Sequence, residues 1–293
     1  MLNKALKILL MTVFSVSCDS HEKTKFKTFQ KVGEIQRLDK QLDEVISPNA
    51  VIEVLSTGHK WSEGPIWYKK EQKLIYTDVG HQKIYQWTEK DSVTLYLDMK
   101  DEDLKRPGPS ALLIDNDEKL VILQYGHGQV IKMNAPLNKP TSGFSTFIDN
   151  YNGIRFNNTN DATFHSNGNM IMSDPPPIDE NGLKAAVYSV TPEGAVRKVT
   201  DTLSSPNGIA FSPDEKTVYI ANADWKNAIW IAADVDKNGN ISDGSLFFDA
   251  TGNAPKEKGH PDGLKVNRNG IIFATGPGGV YVLNPKGRHL EIG

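Results

Sequence analysis

Asn207-Gly-Ile-Ala-Phe211, followed after a Ser-Pro-Asp-Glu turn by Thr217-Val-Tyr-Ile-Ala221, decides the reading of the whole chain. Apolar residues that alternate with period two, bounded by Gly, Pro, Asn and Asp, mark short antiparallel strands. The same opening recurs as Glu63-Gly-Pro-Ile-Trp67, Ser110-Ala-Leu-Leu-Ile114, Asn160-Asp-Ala-Thr-Phe164 and Asp262-Gly-Leu-Lys-Val266. Each begins with a polar residue and has an aromatic or branched one four places later. The first residues stand 47, 50, 47 and 55 positions apart, and about four strands fit each interval. A period near 50 with four strands per unit is the signature of a β-propeller. One four-stranded sheet cannot bury both faces alone, so successive sheets stack as blades around an axis. A β-sandwich would not require a fixed period.

The composition agrees with a globular domain. The chain has 293 residues, 38% hydrophobic and 24% charged, which excludes a collagen, a coiled coil or a largely disordered chain. A net charge of −3 gives no basic surplus for nucleic acid. One cysteine excludes an intrachain disulfide and a cysteine zinc cage. There is no Gly-x-Ser-x-Gly elbow, no His-Glu-x-x-His pair and no Walker or Rossmann glycine pattern.

The N-terminus reads as an address. Lys4 and Lys7 precede an apolar run from Ile8 to Val16, then Ser17 and Cys18. This is a secretory signal, too short to span a bilayer. It resembles a bacterial lipoprotein signal, with Ser15 where Leu is usual. The expected organisation is a signal peptide over residues 1–17, lipidation at Cys18, a polar tether over 18–34 and the propeller over 35–293. Ile35, Leu38, Leu42 and Val45 have helical spacing. Val51-Ile-Glu-Val-Leu55 reads as a strand before the first unit, the kind that closes a ring with strands from the other terminus.

Equivalent positions in successive blades reach equivalent heights around the central channel. Glu63, Ser110, Asn160, Asn207 and Asp262 share one register. Singly, Asn-Gly and Asp-Gly are turn formers. Together, two carboxylates and two amides need a compensating cation and suit one hard divalent ion, Ca²⁺ first, with Mg²⁺, Mn²⁺ or Zn²⁺ tolerated. Asp174, in Asp174-Pro-Pro-Pro177, ends a strand at the expected channel mouth. Trp61 and Trp67 read as blade packing rather than a sugar platform, and His260 as a loop residue at a blade entrance.

Trp61-Ser-Glu-Gly-Pro-Ile-Trp67, Asn160-Asp161, Pro206-Asn-Gly-Ile-Ala-Phe-Ser-Pro-Asp-Glu215 and Pro261-Asp-Gly-Leu-Lys265, taken in this order, resemble the gluconolactonase family. That family includes regucalcin (senescence marker protein) and LRE-like proteins, and is related to diisopropyl-fluorophosphatases. The resemblance implies a six-bladed propeller with a divalent metal in the channel. It implies Glu63, Asn207 and Asp262 as metal ligands and Asn160 as a fourth ligand or a substrate contact. Asp262 is then the catalytic acid/base or, as in the phosphatase relatives, the nucleophile. Ser110 and Asp174 are further expected substrate contacts. The sequence departs from the pattern at Ser110, where relatives have Asn, and at Gln124-Tyr125-Gly126, where they have Glu-His-Gly. Relatives also continue further, so the expected fold is a six-bladed all-β propeller with its last blade incomplete. The function implied is metal-dependent opening of a sugar lactone by a monomer in the bacterial cell envelope, held to a membrane through Cys18. A phosphotriester or other ester hydrolase, and a non-catalytic binding propeller, remain alternatives.

Overall fold

The computed structural model describes residues 29–99, 108–177 and 182–292. The signal peptide, Cys18 and most of the tether lie outside the described residues. Each recurring unit forms one antiparallel meander of four strands. The first blade comprises Ser62–Tyr68, Lys73–Asp78, Lys83–Thr88 and Ser92–Asp98. The second comprises Pro109–Ile114, Leu120–Gln124, Gln129–Met133 and Phe144–Ile148. The third comprises Ala162–Phe164, Met170–Asp174, Ala186–Val190 and Val196–Thr200. The fourth comprises Pro206–Phe211, Thr217–Asp224, Asn227–Asp234 and Ser245–Asp249. The fifth comprises Leu264–Val266, Ile272–Gly276, Gly279–Leu283 and His289–Ile292, with Gln36–Arg37 added at its outer edge. The first strand of each blade is innermost and meets its neighbours around the axis.

Period-two alternation lets each blade bury both faces. On the strand Thr217–Asp224, Val218 and Ile220 join Ile171 and Val187 of the third blade. Tyr219 and Ala221 turn the other way, onto Ile272, Ala274 and Tyr281 of the fifth. The first and second blades meet through Ile75, Ile84, Leu112 and Ile122, the second and third through Val121, Leu123, Met170 and Met172. Each such side chain contributes about 1.5–3 kcal/mol by leaving water. The core is therefore four seams between blades rather than one centre.

The N-terminal segment departs from expectation. Gln30–Val32, expected within the tether, pairs antiparallel with Ile52–Val54. The strand read at 51–55 therefore does not join strands from the C-terminus. The reason lies in residues 35–46. Asp39 caps a short 3₁₀ turn, Lys40–Glu44, by accepting from the Gln41 N–H at 2.8 Å. That turn seats the fully buried Leu42 against Ile271, Val282 and Leu290 of the fifth blade. The helical spacing thus covers the free face of the last blade, and among the described residues no sixth four-stranded sheet stands there.

The innermost strands bulge at the height of the shared register. Pairing slips by one residue between Glu63 and Ile66, between Pro109 and Leu112, and between Pro206 and Ile209. A bulge of this kind re-aims a side chain, and it falls on Glu63, Ser110 and Asn207. It also brings neighbouring backbones together. A Cβ on Gly64, whose φ is +55°, would stand 2.3 Å from the Ser110 carbonyl oxygen. A Cβ on Gly208 would stand 2.3 Å from that of Asp262. Gly263, at the same position in the fifth blade, has open space instead. We predict that Gly208→Ala lowers stability by about 2–3 kcal/mol, because backbone must shift, whereas Gly263→Ala stays within about 0.5 kcal/mol. Urea midpoints of the two variants check this, and equal losses would contradict the close-approach argument.

Candidate functional site

Glu63, Asn160, Asn207 and Asp262 line one cavity of about 560 Å³, together with Asp161, His260 and Lys265. They come from the first, third, fourth and fifth blades, so the propeller brings these four distant positions to one wall. Trp61, Pro65, Leu264, Phe273 and Val280 make its apolar walls. Trp61 is therefore a half-exposed wall residue rather than blade packing, and Trp67 is half-exposed too.

Ser110 does not line the cavity. Its hydroxyl donates to the Glu63 carboxylate and fixes that side chain from behind. Thr77 Oγ1 donates to the Ser110 carbonyl at 2.9 Å, which ties the second strand of the first blade to the same point. The Asn207 side chain favours the charged form of Asp262, while its Oδ1 is buried with no hydrogen-bond partner. Leaving a buried amide oxygen unpaired costs about 1–3 kcal/mol, so this atom points to a missing partner. Asn160 holds its place through its backbone: its N–H donates to the Ser173 carbonyl at 3.0 Å and its carbonyl accepts from Ala111 at 3.1 Å.

The expectation for Asp174 is corrected. The side chain is wholly buried and is not among those lining the cavity. Its oxygens accept from the N–H groups of Asn157 at 3.0 Å and Asn158 at 2.7 Å. The Pro175–Pro177 run carries the chain away immediately after the strand, which leaves Asp174 to cap the loop before Asn160. Its role is to position that loop.

Three participants were not singled out from the sequence. Asp161 is buried beside Asn160 and accepts from the Ile209 N–H of the next blade at 3.2 Å, doing with a side chain what Gly208 does by close approach. Its charge raises both Glu63 and Asp262. Tyr125 feels the charges of Glu63, Asp174 and Asp262, and burial first, then those charges, push its phenol up. Lys265 is the cation that acts on Glu63. The departure Gln124-Tyr125-Gly126 was the available signal for Tyr125, and the pair Asn160-Asp161 for Asp161.

The electrostatics are unbalanced toward negative charge. Burial pushes Glu63 up to about 7, against the Ser110 hydrogen bond, with Asp262 and Asp161 adding to the rise. Asp262 is likewise raised by burial, with His260, 4.0 Å away, pulling the other way. Among the described residues no three His, Cys, Asp or Glu side chains form a metal-binding group. The donor set here mixes two carboxylates with two amides. An orphaned amide oxygen in a cavity shared with carboxylates whose charge is disfavoured fits a hard cation ligated by oxygen.

Residues 61–292 match the family described as SMP-30/gluconolactonase/LRE-like region. The chain is similar to a gluconolactonase of Zymomonas mobilis, 30% identical over 89% of this chain and 77% of that protein. Its fold is similar to that of a gluconolactonase of Xanthomonas campestris, with a TM-score of 0.76 at 24% identity, covering 89% of this chain and 84% of the other. It is also similar to a calcium-binding regucalcin of Agrobacterium tumefaciens, with a TM-score of 0.64 at 22% identity, covering 80% and 75% of the two chains.

The raised Glu63 has a consequence for stability. The unfolded chain loses this proton near 4.5 and the folded chain near 7. Stability therefore falls as pH rises through that window, by on the order of 3 kcal/mol from this group. Asp174, raised by burial to about 6, acts in the same direction. With divalent ions chelated, the melting temperature is expected to peak near pH 5 and fall toward pH 8. Glu63→Gln should flatten that fall, and an unchanged slope in the variant would remove Glu63 as its source.

Proposed function

This chain belongs to the SMP-30/gluconolactonase/LRE-like family, and on that premise we propose that it is a lactone hydrolase that opens a sugar lactone with the help of one divalent cation. The observation that carries the cation is the buried, unpartnered Oδ1 of Asn207, on a residue that lines the same cavity as Glu63 and Asp262. Glu63, Asn207 and Asp262 would hold the ion, with Asn160 completing the oxygen set. Ca²⁺ is the first choice, since a structural relative is named as a calcium-binding regucalcin. When bound, the ion supplies Lewis acidity toward the lactone carbonyl.

The chain's own groups do the rest. Asp262 takes a proton from the attacking water and returns it to the ring oxygen as that oxygen leaves. The ion-bound carboxylate is the weaker base for it, and the raised proton affinity that burial gives Asp262 works against that weakening. The Asn160 amide donates to the oxyanion that develops on the carbonyl. Ser110 keeps the Glu63 carboxylate turned into the channel. Trp61, Phe273 and Val280 exclude water from the bound ring. The protein is read as an exported lipoprotein held at the cell envelope through Cys18.

Two measurements test this. Gluconolactone hydrolysis should stop with chelator and return with Ca²⁺, and Asp262→Asn should lower kcat/KM by about 10²–10⁴-fold in a folded protein. Faster turnover of an organophosphate triester than of any lactone would replace the substrate class, and full lactonase activity in Asp262→Asn would remove the mechanism. Separately, cells fed a fatty-acid probe should label the wild-type chain and not Cys18→Ala. Equal labelling would sink the anchor.

A further inference from the structure

Outside the channel, the loop that leads into the first blade gathers three residues the lactonase chemistry does not use. Ser56 Oγ lies 2.6 Å from His59 Nε2. His59 Nδ1 lies 3.2 Å from Asp78 Oδ2 on the opposite side of the ring. We propose that Ser56, His59 and Asp78 form a second hydrolytic centre, a serine acyl-transfer triad for carboxylic esters. Such a triad is recognised by geometry and roles, not by position in sequence.

Each residue suits its role. Asp78 is fully buried and collects the backbone N–H groups of Lys60 at 3.3 Å, Trp61 at 3.2 Å and His81 at 3.3 Å, with His81 Nδ1 at 2.7 Å. Burial pushes its carboxyl up, but these hydrogen bonds outweigh burial and hold it below the ordinary range. An ionised carboxylate at Nδ1 selects the imidazole tautomer whose Nε2 accepts from Ser56. The ring packs edge-on against the stacked pair Tyr76 and Tyr85, with centroids 5.3 and 4.9 Å away, and the Tyr76 hydroxyl is 3.1 Å from Nε2. Ser56 is partly buried, while Thr57 and Gly58 are exposed. Gly58 has φ +84° and open space around its α-carbon, which leaves a path for substrate. The N–H groups of Thr57 and Gly58 make no hydrogen bond among the described residues and are free to receive an oxyanion. The donor directly after the serine is the position a nucleophile elbow also uses.

The step balances without any co-reactant but water. Ser56 Oγ bonds to the acyl carbon as its proton passes to His59 Nε2. The bond from carbon to the alcohol oxygen breaks, and the alcohol leaves with that proton. Water then attacks the acyl-serine, giving a proton to Nε2, and Ser56 Oγ recovers it as the acid departs.

The full chain, with divalent ions chelated so that the channel is silent, is treated with a fluorophosphonate probe and mapped by peptide mass spectrometry. One adduct is expected, on Ser56. It should form at least about 10²-fold more slowly in His59→Gln, the contribution of a general base. p-Nitrophenyl acetate should show a burst of one equivalent that Ser56→Ala abolishes. Absence of a Ser56 adduct on the folded wild-type chain overturns the assignment whatever the variants do. An adduct whose rate is the same in folded His59→Gln, checked by circular dichroism, overturns it equally.

Discussion

The approach of one innermost strand to the next governs everything at the channel. Where Gly208 lies beside the Asp262 carbonyl and Gly64 beside that of Ser110, two backbones sit too close for a side chain. That spacing sets how far the oxygen donors stand from one another. A propeller whose inner strands were pushed apart by one methyl group at this height would keep its blades, since the seams of Ile, Val, Leu and Tyr lie further out. It would lose the convergence of Glu63, Asn207 and Asp262. The glycines are therefore constraints of the site more than of the fold, and the bulges that accompany them turn the side chains inward.

Close approach concentrates charge. Burial first, then the charges of Asp262 and Asp161, raise the proton affinity of Glu63, and burial with Asp161 raises that of Asp262. The chain tolerates this because each has local support: the Ser110 hydroxyl on Glu63, the Asn207 amide on Asp262, the Ile209 N–H on Asp161. That support leaves Asn207 Oδ1 without a partner. The protein thus holds, in its folded state, an electrostatic cost that a cation can relieve and that a neutral surface would not carry. Binding and stability are linked through the same atoms.

Much of this was legible in the sequence because a propeller repeats. The 47 to 55-residue spacing placed Glu63, Ser110, Asn160, Asn207 and Asp262 in one register without any structural information. Repetition fails where a residue has no counterpart in other blades. Asp174 ends a strand at the right height, yet the proline run behind it leaves its carboxylate to cap the loop of Asn157 and Asn158, which no period encodes. Asp161 stands where other units have Gly or Ala, so no shared register marks its side chain. Leu42 has helical spacing, but its burial on the last blade is a tertiary choice that periodicity cannot reveal. Ser56, His59 and Asp78 form no motif, because their geometry depends on a loop folding back over the end of a strand.

That loop ties the two centres together. Asp78 is the Cα partner of Ser62, and Thr77 that of Glu63, so the carboxylate that faces His59 sits one pair away from a residue that lines the channel. The N–H groups of Lys60 and Trp61 end on the same carboxylate. The chain thus enters the innermost strand of the first blade along a path fixed by Asp78, and Glu63 is the third residue beyond Lys60. One buried charge orients an imidazole on one side and sets the start of the channel-facing strand on the other. A protein that must anchor the innermost strand of its first blade has reason to place a heavily hydrogen-bonded carboxylate here. The serine and histidine that share that anchor acquire their geometry from a structural necessity of the fold.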